Sequence, residues 1–254
     1  MLTRKFLAVF CFALCFLIAC KKPIGEDRPA PTNRLSKIVY EQNNVSYEYD
    51  NNGRLKSSTF RAADNTLIGK TEYEYSNGRL AQSVSGNARL VYSYPNNQTI
   101  RIELRNGNTT RYSFEYKITG NQINEWIQYG HGTGAAVPEE KHVYTYNSAG
   151  NIIKTENYEY NGGQWELYEV INTVQYDNRQ NYTSHHEAIM YYIGDRAVLA
   201  NNPVKQEYRA PDGQLFKTLT YQHTYDAQGR KTRSVISIVE PGENDKTETI
   251  TYQY

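Results

Sequence analysis

Tyr47-Glu48-Tyr49-Asp50-Asn51-Asn52-Gly53-Arg54-Leu55 is the stretch whose reading decides the fold. In an extended chain alternate residues face opposite sides, so Tyr47 and Tyr49 share one face and Glu48 takes the other. Asp50 can close a turn by accepting from backbone N–H groups just ahead of it. Gly53 supplies the positive φ that hairpin loops of three to five residues need. Arg54-Leu55 then opens a return strand, and the whole unit reads as a β-hairpin.

The unit recurs along the chain. TEYEYSNGRL covers 71–80, LVYSYPNNQTI 90–100, YSFEYKITGNQI 112–123 and HVYTYNSAGNI 142–152. ENYEYNGGQW at 156–165 and YQHTYDAQGRK at 221–231 follow, with a weaker copy in EYRAPDGQL at 207–215 and a last fragment in the terminal ITYQY. Apolar residues repeat with period two rather than 3.6, so these are half-buried strands. Asp50, Gly53, Gly78, Gly150, Asp226 and Gly229 are the turn-forming residues of the copies. Loop-like clusters fall at 61–65, 85–87, 130–138, 194–203 and 241–245, and no long segment shows capped helical periodicity. The expected fold is all-β, an antiparallel up-and-down meander of about 14–16 strands, each of roughly five to eight residues. So many strands curl or close into a barrel-like sheet to protect their edges.

Tyr47-x-Tyr49-Asp50-x-x-Gly53-Arg54-Leu55 resembles the YD repeat of Rhs- and teneurin-type proteins. The copy from His223 to Lys231 departs at both ends, and the copy from Tyr144 to Ile152 keeps only the outline. In the large members such hairpins spiral into a hollow shell; this chain is too short to enclose a toxin. It is closer to small secreted bacterial lipoproteins of unknown function with a porin-like β fold, a resemblance that implies architecture and not activity.

The N-terminus carries an address. Arg4 and Lys5 precede an apolar run, Phe6 to Phe16, too short to cross a bilayer as a helix. Leu17-Ile18-Ala19-Cys20 resembles the lipobox of bacterial lipoproteins, which implies cleavage before Cys20 and lipidation of Cys20. The expected organisation is a signal peptide over 1–19, the lipidated Cys and a Pro-rich tether over 20–34, and one β domain over 35–254. Fourteen extended residues reach at most about 50 Å. Cys occurs only at 11, 15 and 20, so the mature domain has no disulfide and no thiolate metal site.

Composition narrows the partners. The chain has 254 residues, 28 Lys plus Arg and 27 Asp plus Glu, and loss of Arg4 and Lys5 with the signal turns a net +1 into −1. A chain so balanced has no electrostatic footprint for nucleic acid. A mean hydropathy of −0.76 excludes a helical membrane protein. The expected partners are a membrane, through the N-terminal lipid, and a polysaccharide or another envelope protein.

Candidates for chemistry are few. Six Tyr-x-Tyr pairs, 47/49, 73/75, 92/94, 144/146, 158/160 and 252/254, hold half of the 24 Tyr. They form the core of a barrel or layered sheet, or an aromatic platform for sugar rings. Around Trp126, simple alternation puts Ile123, Ile127 and Tyr129 on one face and Asn124, Trp126 and Gln128 on a polar one. A Trp among amides can stack on a sugar while the amides bind its hydroxyls. Trp165 is a further candidate on a strand apolar on both faces. In His185-His186-Glu187 only His185 and Glu187 would share a strand face, with His223 as a distant third ligand, which is a poor metal pattern. Gly130-His131-Gly132-Thr133-Gly134 lacks the Lys-Ser/Thr of a phosphate loop and reads as a hairpin loop. No cofactor or catalytic constellation is evident, and none of the 27 acidic residues stands out as a glycosidase pair. The leading expectation is a lipid-anchored, non-enzymatic binding or structural module, with glycan as the favoured ligand. The competing ones are a porin-like outer-membrane barrel, disfavoured by the shortness of the Tyr stripes, and an envelope glycoside hydrolase, which requires carboxylates converging in one cleft.

Overall fold

The computed structural model describes residues 34–132, 135–183, 186, 192–193 and 199–254. The signal, Cys20 and the tether up to 33 lie outside the described residues, as do His185, Glu187, Thr133 and Gly134. Sixteen strands follow one another: β1 (Lys37–Val39), β2 (Asn43–Tyr49), β3 (Leu55–Ala62), β4 (Leu67–Ser76), β5 (Arg79–Ser85), β6 (Ala88–Asn96), β7 (Thr99–Asn106) and β8 (Thr109–Thr119). The second half comprises β9 (Gln122–Gly130), β10 (Val137–Tyr146), β11 (Ile152–Asn161), β12 (Gln164–Gln180), β13 (Asn201–Arg209), β14 (Leu215–Tyr225), β15 (Lys231–Val239) and β16 (Lys246–Gln253). Each strand pairs antiparallel with its sequence neighbours, and β1 pairs with β16, through Ile38 opposite Tyr252, to close a barrel.

The hairpin turns follow from the repeat. The Asp50 carboxylate accepts from the backbone N–H of Asn52 (2.9 Å) and Arg54 (2.8 Å) and from Arg54 Nε (2.8 Å). Asp226 repeats this with Gln228 (3.0 Å), Arg230 (2.9 Å) and Arg230 Nε (2.7 Å). In the diverged copy Asn147 still accepts from Ala149 and Asn151 but binds no arginine. Gly53, Gly78, Gly150 and Gly229 sit at φ of 82°, 75°, 85° and 77°, the left-handed region that a side chain disfavours.

In four of the units the second Tyr joins one hairpin to the one before it. Tyr49, Tyr75, Tyr94 and Tyr146 donate from their hydroxyls to the carbonyls of Leu35, Leu55, Leu80 and Ile123, and Tyr176 does the same to Ile152. The Arg before each Leu lies over the ring: Arg34 over Tyr49, Arg54 over Tyr75, Arg79 over Tyr94, each 4.5–5.2 Å from the centroid. Arg34, the last residue of the expected tether, thus already packs on the barrel.

These turns share one end of the barrel, and that end is packed. Leu80, Ile100, Ile118, Ile123, Ile152 and Tyr92 form the main core cluster with Phe114, Tyr116 and Trp126. The β12–β13 connection adds to it. Ile193, 4% exposed, belongs to the cluster, and Tyr192 and Leu199 pack on it. Tyr192 meets Tyr73 of β4 edge-on at 5.5 Å, and His186 meets Tyr47 of β2 at 4.5 Å. In the ring β4 stands eight places from β12, on the opposite wall, so Tyr192 lies against the wall facing the strand it follows. His186 is therefore not on a strand, because β12 stops at Gln180. At the other end Leu67, Val137, Leu215 and Phe216 are exposed around a mouth.

Strands are longer than the Tyr stripes suggest. β4, β10 and β11 have ten residues, β8 and β14 eleven, and β12 seventeen. The stripes fill only the half of each strand nearest the packed end. Beyond them the inner residues turn polar, so the period-two apolar signal fades while the strand continues.

The outer wall is charged along much of its circumference. Lys70–Glu72, Arg101–Glu115, Arg105–Glu103, Lys117–Glu125, Lys154–Glu156 and Lys205–Glu207 pair on residues that alternate with inward ones. Exposed pairs like these add little to stability in water. Their cationic members would each cost roughly 2–4 kcal/mol at the midplane of a bilayer.

Candidate functional site

The site is a polar patch on the inner wall near the mouth, built by β9 to β12. Cross-strand register aligns Trp126 with His142, His142 with Asn157, and Asn157 with Glu169. The next row towards the mouth aligns Gln128 with Glu140, Glu140 with Glu159, and Glu159 with Glu166. Directly opposed residues of antiparallel strands lie on the same face, so both rows look inward with Trp126.

Local irregularities aim these side chains. Register shifts place one extra residue each at Asn124 in β9, Glu139 in β10 and Tyr168 in β12. Such bulges bend a strand and redirect a side chain. The bulge at Asn124 corrects the simple alternation: Ile123 joins Trp126 in the core cluster, and Ile127 faces out. The face that looked polar in sequence is the interior.

Trp126 is 4% exposed, stacked on Phe114 with centroids 6.0 Å apart, and meets the His142 ring edge-on at 4.5 Å. Among the described residues its indole N–H has no hydrogen-bond partner. Glu140 Oε1 lies 2.7 Å from His142 Nε2 and accepts from the Tyr168 hydroxyl at 2.9 Å. Asn157, 4% exposed, donates to Glu169 Oε2 at 2.7 Å, and among the described residues its own carbonyl oxygen has no partner. Gln128 donates to Glu139 Oε2 at 2.8 Å and Asn161 to Glu166 Oε2 at 3.3 Å. Burial raises the Tyr168 phenol above its ordinary value, and the bond to Glu140 and the charges of Glu140, Glu169 and Glu159 push the same way. Tyr168 thus stands in a field of carboxylates.

The sequence candidates divide. Trp126 and Gln128 fall in the patch, and Asn124 is the bulge beside it, its side-chain oxygen buried without a partner among the described residues. Trp165 lies on the outer wall, edge-on to Tyr160 at 5.1 Å with Lys141 Nζ 4.8 Å from its centroid. The 158/160 pair faces outward there, unlike the Tyr pairs that pack inside. His223 is held by Ser234 Oγ (2.9 Å) and the Pro203 carbonyl (2.8 Å). Among the described residues no group of three or more His, Cys, Asp or Glu is placed to hold a metal ion. The carboxylates of the patch carried no motif in sequence. Their signal was the alternation Glu140-x-His142-x-Tyr144-x-Tyr146, which continues a core stripe into charged residues.

A second concavity lies at the seam, where β1 has only three residues and leaves the first half of β16 unpaired on that side. It is lined by Tyr40, Glu41, Gln42, Asn43, Glu248 and Thr249.

No family model matches the chain, the YD repeat included, and no curated protein matches it in sequence. Among solved structures it is similar to a porin-like protein from Bacteroides uniformis, at 14% identity over 88% of this chain and 99% of that one, with a TM-score of 0.41. A porin-like protein from Bacteroides vulgatus gives 13% identity, 87% and 99% coverage and a TM-score of 0.41. The Tc holotoxin pore of Photorhabdus luminescens gives 16% identity over 83% of this chain but 13% of that one, with a TM-score of 0.33.

Proposed function

We propose that this protein is a lipid-anchored cell-envelope β-barrel with a non-enzymatic binding role, which takes a glycan in its mouth. The carrying observation is the pair of inner rows, Trp126–His142–Asn157–Glu169 and Gln128–Glu140–Glu159–Glu166. Carboxylates and amides bind sugar hydroxyls, and aromatic rings supply apolar contact. The charged outer wall supports a barrel standing in water, and the lipobox at Cys20 supports attachment through the N-terminus. Arg34 packs on Tyr49 at the end closed by the Asp turns, so the barrel is attached at the end opposite the mouth.

Titration of the protein with a panel of polysaccharides, followed by Trp fluorescence, tests this. A saturable shift that persists in Trp165→Phe and vanishes in Trp126→Phe is expected. A protein that responds to no polysaccharide contradicts it.

Two other readings have specific support. A porin-like outer-membrane barrel is favoured by the closed ring of sixteen strands, many long enough to cross a bilayer. The outer ion pairs weigh against it. A glycoside hydrolase is favoured by the placing of Glu140, Glu159, Glu166 and Glu169 on one inner wall. Release of reducing sugar from a bound polysaccharide, lost in Glu159→Gln, would establish that reading.

A further inference from the structure

We propose that the ligand of the mouth is a cationic glycan, one whose sugars carry free amino groups. The proposal rests on the glycan reading and names the class of sugar.

The inner patch gathers Glu139, Glu140, Glu159, Glu166 and Glu169 on three adjacent strands. Among the described residues none of the five forms an ion pair with a Lys or Arg, and only Glu140 has a basic partner, His142. Six carboxylates of the outer wall are neutralised instead. Glu72, Glu103, Glu115, Glu125, Glu156 and Glu207 each hold a Lys or Arg. Lys217, on the inner wall of β14, lies over the Tyr208 ring, 4.1 Å from its centroid, and Lys141 points outward across Tyr158. Like charges crowded on one wall repel, so the patch favours a ligand that brings positive charge.

A second observation points to the ligand's other groups. Among the described residues Asn157 and Trp126, each 4% exposed in the same row, keep one unpaired polar atom apiece, an acceptor oxygen and a donor N–H. A buried polar atom without a partner is costly, and a ligand that satisfies it recovers that cost. An ammonium group matches the carboxylates and the Asn157 oxygen, and a hydroxyl oxygen matches the Trp126 N–H. An amino sugar carries both within one ring. A bare metal ion offers no acceptor for Trp126.

Equilibrium binding to the intact protein at about pH 6, where carboxylates are ionised, tests the proposal. The probes are short oligomers of glucosamine, N-acetylglucosamine and glucose, with spermidine as an amine that is not a sugar. The glucosamine oligomer is expected to bind on the order of tenfold more tightly than the two uncharged ones. That advantage is expected to shrink at high salt and to disappear in the Glu159→Gln/Glu166→Gln double variant. Both side chains are exposed, so the variant keeps its fold, which near-UV circular dichroism checks. Equal binding of all three oligomers overturns the charge preference and leaves the glycan reading standing. Binding of spermidine with no response to any oligomer overturns the glycan reading itself. A glucosamine advantage unchanged in the double variant moves the site away from this patch and overturns the assignment.

Discussion

The Tyr75 hydroxyl donates a 3.0 Å hydrogen bond to the Leu55 carbonyl, across the seam between one hairpin and the next. The Arg54 guanidinium lies 4.5 Å from the centroid of the same ring and is held from behind by Asp50. The Tyr-Asp-Gly-Arg-Leu pattern is therefore a device for joining hairpins as much as for turning them. Tyr75→Phe removes the bond alone and should cost about 1 kcal/mol. A double-mutant cycle in urea that pairs Tyr75→Leu, which removes the ring, with Arg54→Ala should show a coupling of roughly 0.5–1 kcal/mol. Strict additivity would mean that the stacked pair contributes nothing.

The turn carboxylates make stability depend on acid. Burial by itself would raise the Asp50 carboxyl, but the bonds from Arg54 and Asn52 outweigh it and hold it below the ordinary range. Asp226 is held down in the same way by Arg230 and Gln228. A carboxyl lowered on folding stabilises the fold above its unfolded value, about 3.9, and that contribution is lost as pH falls through the folded value. The urea midpoint should fall below about pH 4, and less steeply in Asp50→Asn/Asp226→Asn. An identical pH slope in that variant would assign the acid sensitivity elsewhere.

The buried tyrosines act at the other end of the scale. Burial pushes the Tyr176 phenol up to about 12, and it raises Tyr92 and Tyr144 further. A phenol raised on folding adds stability below its unfolded value near 10, which is lost as pH rises through the folded value. Absorbance titration should show part of the tyrosine ionising only as the barrel unfolds. A single smooth ionisation near pH 10 would contradict a packed tyrosine interior.

The β12–β13 connection should behave as part of the core. Ile193→Ala should destabilise by about 2–4 kcal/mol, as for other core aliphatic truncations. Ile193→Asp should unseat the connection and raise hydrogen exchange at Tyr73 and Tyr92. Exchange unchanged in the Asp variant would show that the closed end does not depend on this segment.

Much of the fold was legible because the hairpin signal is local. Tyr47, Tyr49, Asp50, Gly53 and Arg54 specify one strand end, one turn and one return within nine residues. Closure was less so, since Ile38 and Tyr252 pair across nearly the whole chain. The inner patch carries no sequence signature for a definite reason. Period two separates two faces without saying which is inside, and charged Glu140, Glu159 and Glu166 look like outward residues. At Asn124 a single inserted residue moved Ile123 to the face of Trp126. The β12–β13 connection has neither periodicity nor turn chemistry, and its contacts lie on the opposite wall.

The most direct test of the whole account is limited proteolysis of membranes carrying the full chain, with cleavage within residues 21–34. A barrel standing in water on a lipid tether should be released without detergent, folded and sedimenting as a soluble protein. A cleaved barrel that still pellets with the bilayer would show that its charged wall spans the membrane, and would contradict the account.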